Sequence, residues 1–132
     1  MYIHKNTMIE LNKHFGFLPP NVSQDWEIEF ADKNRIQEFL EFYNSNLKNK
    51  NYKYAVMSLT LFSLEDLLQN AKISIEVWLT IKNALLSDYD FFKDLILYWC
   101  QFQSEKKDDL YMLSNFMRII YYEHKVNGCV KN

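Results

Sequence analysis

Apolar residues recur at helical spacing along most of the chain. After Asp32, which reads as an N-cap, Ile36, Phe39, Leu40, Tyr43 and Leu47 fall on one stripe three or four residues apart. That spacing predicts an amphipathic helix, ended by a loop at residues 49–51. Residues 54–70 follow, with Met57, Leu61, Leu64 and Leu68 in helical register. Ser63 with Asp66 three positions later offers a capping pattern that would break this segment and restart it. A strand over residues 54–62 is the competing reading.

Ser74 reads as the cap of a helix that turns Ile75, Trp78, Leu79, Leu85 and Leu86 inward. The cluster at residues 87–90 ends it and caps another, carrying Phe91, Leu95, Tyr98, Trp99 and Phe102. Residues 104–109 are polar and charged and read as a loop. Ser114 is placed to cap a last helix through Met117, Ile120 and Tyr121, and Asn127-Gly128 marks a turn.

The N-terminal third is less regular. Around Thr7 to Leu11 a short helix and an extended arm both fit. Pro19 and Pro20 end any helix there, since the residue before a proline is pushed out of the α region. Residues 25–30, Asp-Trp-Glu-Ile-Glu-Phe, alternate polar and apolar with period two, which suits a short extended segment near residues 26–30. Trp26, in this acidic stretch, is expected to be exposed. The expectation is mainly α: one compact helical domain over residues 1–132, of about five helices, without linker or internal repeat.

Composition narrows the function classes. With 132 residues the chain has the length of one domain. Only 2 Gly and 2 Pro argue against an all-β fold, and Gly16 and Gly128 are too far apart to build a phosphate-cradling loop. The net charge of −2 and just two arginines, Arg35 and Arg118, speak against a nucleic-acid binder. Lys48, Lys50 and Lys53 read as a solvated loop. No run of residues is apolar enough to span a membrane, and residues 1–10 hold no signal core. Cys100 and Cys129 are therefore expected to be reduced thiols of a cytoplasmic protein.

No chemistry-bearing motif stands out. His4, His14 and His124 lack partners at ligand spacing, and Glu123 beside His124 does not share its helix face. Cys100, mid-helix among aromatics, reads as a buried inert thiol. Carboxylate pairs (27/29, 38/41, 88/90, 108/109) are what charged helix surfaces produce. No metal, cofactor or catalytic residue is expected, and the reading is of a binding protein. Residues 10–45 hold seven acids against three bases, and residues 87–109 six against three. Acidic surface steers a basic partner, and the aromatics, 17% of the chain, supply anchors.

Four stretches together carry a family resemblance: residues 24–32 with Arg35 and Phe39, residues 58–66, residues 97–100 and residues 117–120. The arrangement, over residues 14–121, resembles small helical immunity proteins of bacterial contact-dependent inhibition and related polymorphic toxin systems. The resemblance implies an intracellular protein that binds a cognate toxin domain, often a basic nuclease, and occludes its active site. It carries over no catalytic or contact residue. The acidic balance itself puts Asp25, Trp26, Glu27, Glu29, Glu38 and Glu41 forward as partner-binding residues. A self-associating structural or adaptor module of a mobile element is the alternative.

Overall fold

Gly16 is where the first helix stops. Its φ of 68° lies in the left-handed region that glycine enters without penalty, and its N–H returns to the Asn12 carbonyl. The computed structural model describes residues 2–106 and 110–130, the side chains of Cys129 and Val130 excepted. Among the described residues every regular element is a helix, and there are seven rather than about five: α1 (Lys5–Phe15), α2 (Trp26–Glu29), α3 (Ile36–Ser45), α4 (Lys50–Leu68), α5 (Ile75–Ser87), α6 (Tyr89–Cys100) and α7 (Ser114–Val130). The contacts group the chain into two compact units, Met1–Leu67 and Leu68–Asn132.

In the N-terminal unit the stretch expected to be extended is helical. The N–H groups of Ile28 and Glu29 both reach the Asp25 carbonyl, and that of Phe30 reaches Trp26. Trp26 and Phe30 are therefore an i,i+4 pair on one helix face. Ile28, between them, is 52% exposed, so the period-two alternation does not match the burial. Asp32 is not a helix cap. Its carboxylate accepts the Asn34 N–H in a local turn, and α3 begins four residues later behind Arg35, which makes no side-chain capping bond. Ile36, Phe39, Leu40 and Tyr43 are buried as the stripe predicts, but Leu47 lies beyond the helix end and is exposed.

The loop expected at residues 49–51 is shorter, because α4 starts at Lys50, with the Asn49 side chain taking the Tyr52 N–H. α4 then runs unbroken past Ser63. The Ser63 hydroxyl does not cap; it donates to the Leu59 carbonyl and accepts the Asp32 N–H, tying the α2–α3 connection to α4. Residues 55–61 are buried on every face of the helix, and Thr60 satisfies its hydroxyl on the Val56 carbonyl.

In the C-terminal unit Ser74 caps α5 as expected, accepting the Val77 N–H at 3.2 Å. Trp78, Ile81 and Leu85 face the core, whereas Ile75 and Leu79, expected inward, are exposed. Asp88 is shared between the end of α5 and the start of α6, and its side chain makes no capping bond to α6. α6 buries Tyr89, Phe92, Leu95, Ile96, Trp99 and Cys100, a stripe rotated from the expected one, so Tyr98 is exposed; Phe102, expected on the same helix, lies beyond its end and is exposed as well. Ser114 is no cap: it is the first residue of α7, and its hydroxyl is buried without a hydrogen-bond partner among the described residues. α7 passes straight through Asn127 and Gly128, where a turn was expected. Part of the expected loop at 104–109, with the Asp108/Asp109 pair, lies outside the described residues.

Candidate interaction surface

The candidate residues all fall in the N-terminal unit, on α2 and α3 and immediately before α2. Trp26 is 0% exposed, the reverse of the expectation. Its indole N–H donates to Asn12 Oδ1 at 2.7 Å, and the Asn12 amide donates onward to the Asn21 carbonyl. Phe17 and Phe30 stack on each other and both meet the indole ring edge to face. A tryptophan whose one polar atom is matched to a buried amide belongs to the core. It leaves the acids around it at the surface.

Those acids differ in how free their charge is. Glu38 is held by Arg35 through two bonds, Nε to Oε1 at 2.9 Å and Nη2 to Oε2 at 2.7 Å, and this pairing keeps its carboxyl below the usual range. Glu27 is half-buried. Loss of solvent raises its carboxyl above the ordinary value, and the neighbouring Asp25 carboxylate adds to the rise. Glu29 is exposed and takes the Asn21 amide at 2.9 Å, a neutral partner. Asp25 and Glu41 are exposed, and neither meets a cation among the described residues. Glu10, from the same acidic span, accepts the Tyr52 hydroxyl. Unneutralised charge therefore concentrates on Asp25, Glu29 and Glu41.

Arg35 has a structural role that composition hides. Besides Glu38 it donates to the Phe15 carbonyl at 2.8 Å, and its guanidinium lies over the rings of Phe15, Phe17 and Phe39 at 5.7, 5.2 and 5.6 Å. The planar, weakly hydrated cation can stack on aromatic faces while its edge bonds outward.

The exposed aromatics are elsewhere. Tyr98, Phe102, Tyr111 and Tyr122 are exposed in the C-terminal unit, with the Tyr98 and Tyr111 hydroxyls 3.1 Å apart. Sequence reading placed Tyr98 and Phe102 in the core and did not single out Tyr111 or Tyr122. The tighter spacing of Phe92, Leu95, Ile96 and Trp99 was the available signal. Among the described residues no three His, Cys, Asp or Glu gather as metal ligands, and no helix is long and apolar enough to cross a membrane. No family model, no curated protein and no solved structure matches the chain.

Cys100 is buried, and its thiol is pushed up from 9.0 to about 11 by loss of solvent, against the opposing pull of Arg118. The thiol form is therefore favoured by folding. Its contribution is complete below the unfolded-state pKa near 9 and is lost as pH rises through about 11. The expected result is a urea midpoint that falls more steeply between those pH values in the wild type than in Cys100→Ala. Parallel curves would show that burial does not shift this thiol.

Proposed function

We propose that the chain is a protein-binding inhibitor that recognises a basic partner through the acidic surface of its N-terminal unit. The observation carrying this is the set of exposed carboxylates, Asp25, Glu29 and Glu41, that no described cation neutralises. Like charge held at a surface steers an oppositely charged partner into encounter. Glu27 adds negative charge beside Asp25, while Glu38 is already spent on Arg35 and Trp26 works from beneath as a scaffold.

The finer reading is that of an immunity protein acting in the cytoplasm. It holds a cognate toxin domain, such as a nuclease, and covers the basic cleft where that enzyme would bind phosphates. This rests on the resemblance of residues 24–32 with Arg35 and Phe39, 58–66, 97–100 and 117–120 to immunity proteins, and the acidic surface is complementary in sign to a basic toxin domain. The protein would itself catalyse nothing.

The test is to express the tagged chain with the reading frame immediately upstream of it. Co-purification, with toxicity of the upstream product alone, supports the reading; neither toxicity nor a complex overturns it. Reversing Asp25, Glu29 and Glu41 to lysine should slow association roughly tenfold at low salt and flatten its salt dependence.

A second reading, a self-associating module, is favoured by one observation. Ile119, Tyr122 and Val126 are exposed at helical spacing on α7. Light scattering on the purified chain decides it, since a strict monomer removes the reason to invoke self-association.

A further inference from the structure

The C-terminal unit contains a cavity of about 430 Å³, inside the range of roughly 300–1,000 Å³ typical of small-molecule sites. Leu68 and Trp78, both buried, form its base, and Phe116 meets Trp78 edge to face with ring centres 4.9 Å apart. At the mouth stand Ile75 and Met112, which are 67% and 51% exposed. Such exposure of large apolar groups around a concave apolar wall is unfavourable in water and is relieved only when something covers it.

One lining side chain breaks the apolar character. Lys72 is exposed on the segment before α5, and its ammonium forms no ion pair with any described carboxylate. The N-terminal pole of α5, which begins at the lining residue Ile75, adds positive potential of the same sign, partly offset by Glu76 in its first turn. The lining side chains offer no hydroxyl, amide or carboxylate. Sugars and nucleobases, which would need their donors and acceptors matched, are therefore poorly served. A flexible methionine at the mouth suits an unbranched body that can be accommodated in several conformations.

We propose that this cavity binds a small amphiphilic monocarboxylate, its hydrocarbon body against Leu68, Trp78 and Phe116 and its carboxylate on the Lys72 ammonium. The cavity is lined by residues of the C-terminal unit and the acids assigned to partner binding belong to the N-terminal unit, so this proposal stands or falls independently of that assignment.

The probes are decanoate and decanol, equal in chain length and different in charge, titrated into the 132-residue chain below the micelle concentration of the first and the solubility limit of the second. Binding is followed by calorimetry and by tryptophan emission, compared with that of Trp78→Phe, since Trp78 lines the site and Trp26 and Trp99 do not. Decanoate should bind saturably, change the tryptophan emission and exceed decanol in affinity by about fivefold, the worth of one solvent-exposed ion pair. Lys72→Met should abolish the preference while leaving decanol unaffected, and Ile75→Asp, at an exposed position, should weaken both. The proposal is overturned by absence of saturable decanoate binding, by equal affinity for the two probes, by a preference that survives Lys72→Met, or by binding that leaves the tryptophan emission unchanged.

Discussion

Trp26→Ala is expected to destabilise the N-terminal unit by about 3–5 kcal/mol, the range for truncating a fully buried large aromatic. The residue is wholly inaccessible, and its ring packs edge to face against the stacked pair of Phe17 and Phe30. Its loss empties space that the rigid helices around it cannot fully close. It also strips Asn12 Oδ1 of its donor while Asn12 remains buried. Against a total stability of about 5–15 kcal/mol for a typical domain, that is a large fraction. Trp26→Phe keeps most of the ring and loses the N–H bond, and should cost about 1–3 kcal/mol. Urea unfolding followed by far-ultraviolet circular dichroism, with hydrogen exchange of α1–α4 amides, separates the two variants. A Trp26→Ala protein with the wild-type midpoint would show that the indole is not the keystone of this unit. If the acidic surface mediates binding, Trp26→Phe should also weaken the partner, because α2 carries Glu27 and Glu29 on the same turn.

Arg118→Met is expected to cost about 2–4 kcal/mol and to loosen the end of α6. The last carbonyls of a helix have no partner within it. Here Arg118 supplies them from α7: Nε donates to the Cys100 carbonyl at 2.7 Å and Nη2 to that of Gln101 at 3.0 Å. Its guanidinium also lies 5.2 Å from the centre of the Phe102 ring. Gln101 sits at a positive φ of 54°, a conformation that ends the helix and turns its carbonyl toward the arginine. Methionine retains the apolar stem and leaves both part-buried carbonyls without donors. Arg118→Lys, with a single point of charge, reaches one carbonyl and should recover about half the loss. Exchange of amide hydrogens in the last turn of α6 should quicken markedly in Arg118→Met. Unaltered exchange there would mean water replaces the guanidinium at no cost.

The two arginines show what a linear reading can and cannot reach. Their scarcity is visible in the sequence and argues against nucleic-acid binding. Nothing in the order of residues reveals that Arg35 sits over three phenylalanine rings, or that Arg118 closes a helix 18 positions upstream. Both depend on which faces meet after folding. The acids behave the same way: Glu38 and Glu41 look equivalent in a list, yet Glu38 is neutralised by Arg35 and Glu41 is not.

Local chemistry was enough for several elements. The apolar spacing of α3 and α4, the Ser74 cap and the absence of helix at Pro19 and Pro20 follow from periodicity, side-chain hydrogen-bonding capacity and restricted dihedrals, which are properties of a few neighbouring residues. Those forces also made the chain mainly helical. Tertiary structure alone decided the rest. The stretch around Trp26 has three apolar positions, too few to separate a period of two from a helical i,i+4 pair, and the Asn12 amide in the core decided between them. Asp32 and Ser114 have the composition of caps, yet Asp32 turns to its own loop and the Ser114 hydroxyl is buried without a hydrogen-bond partner among the described residues. On α6 a nearly continuous apolar run allows more than one inward stripe. Packing among α5, α6 and α7 selected the one that leaves Tyr98 in water, because burial depends on the neighbouring helices as well as on hydrophobicity.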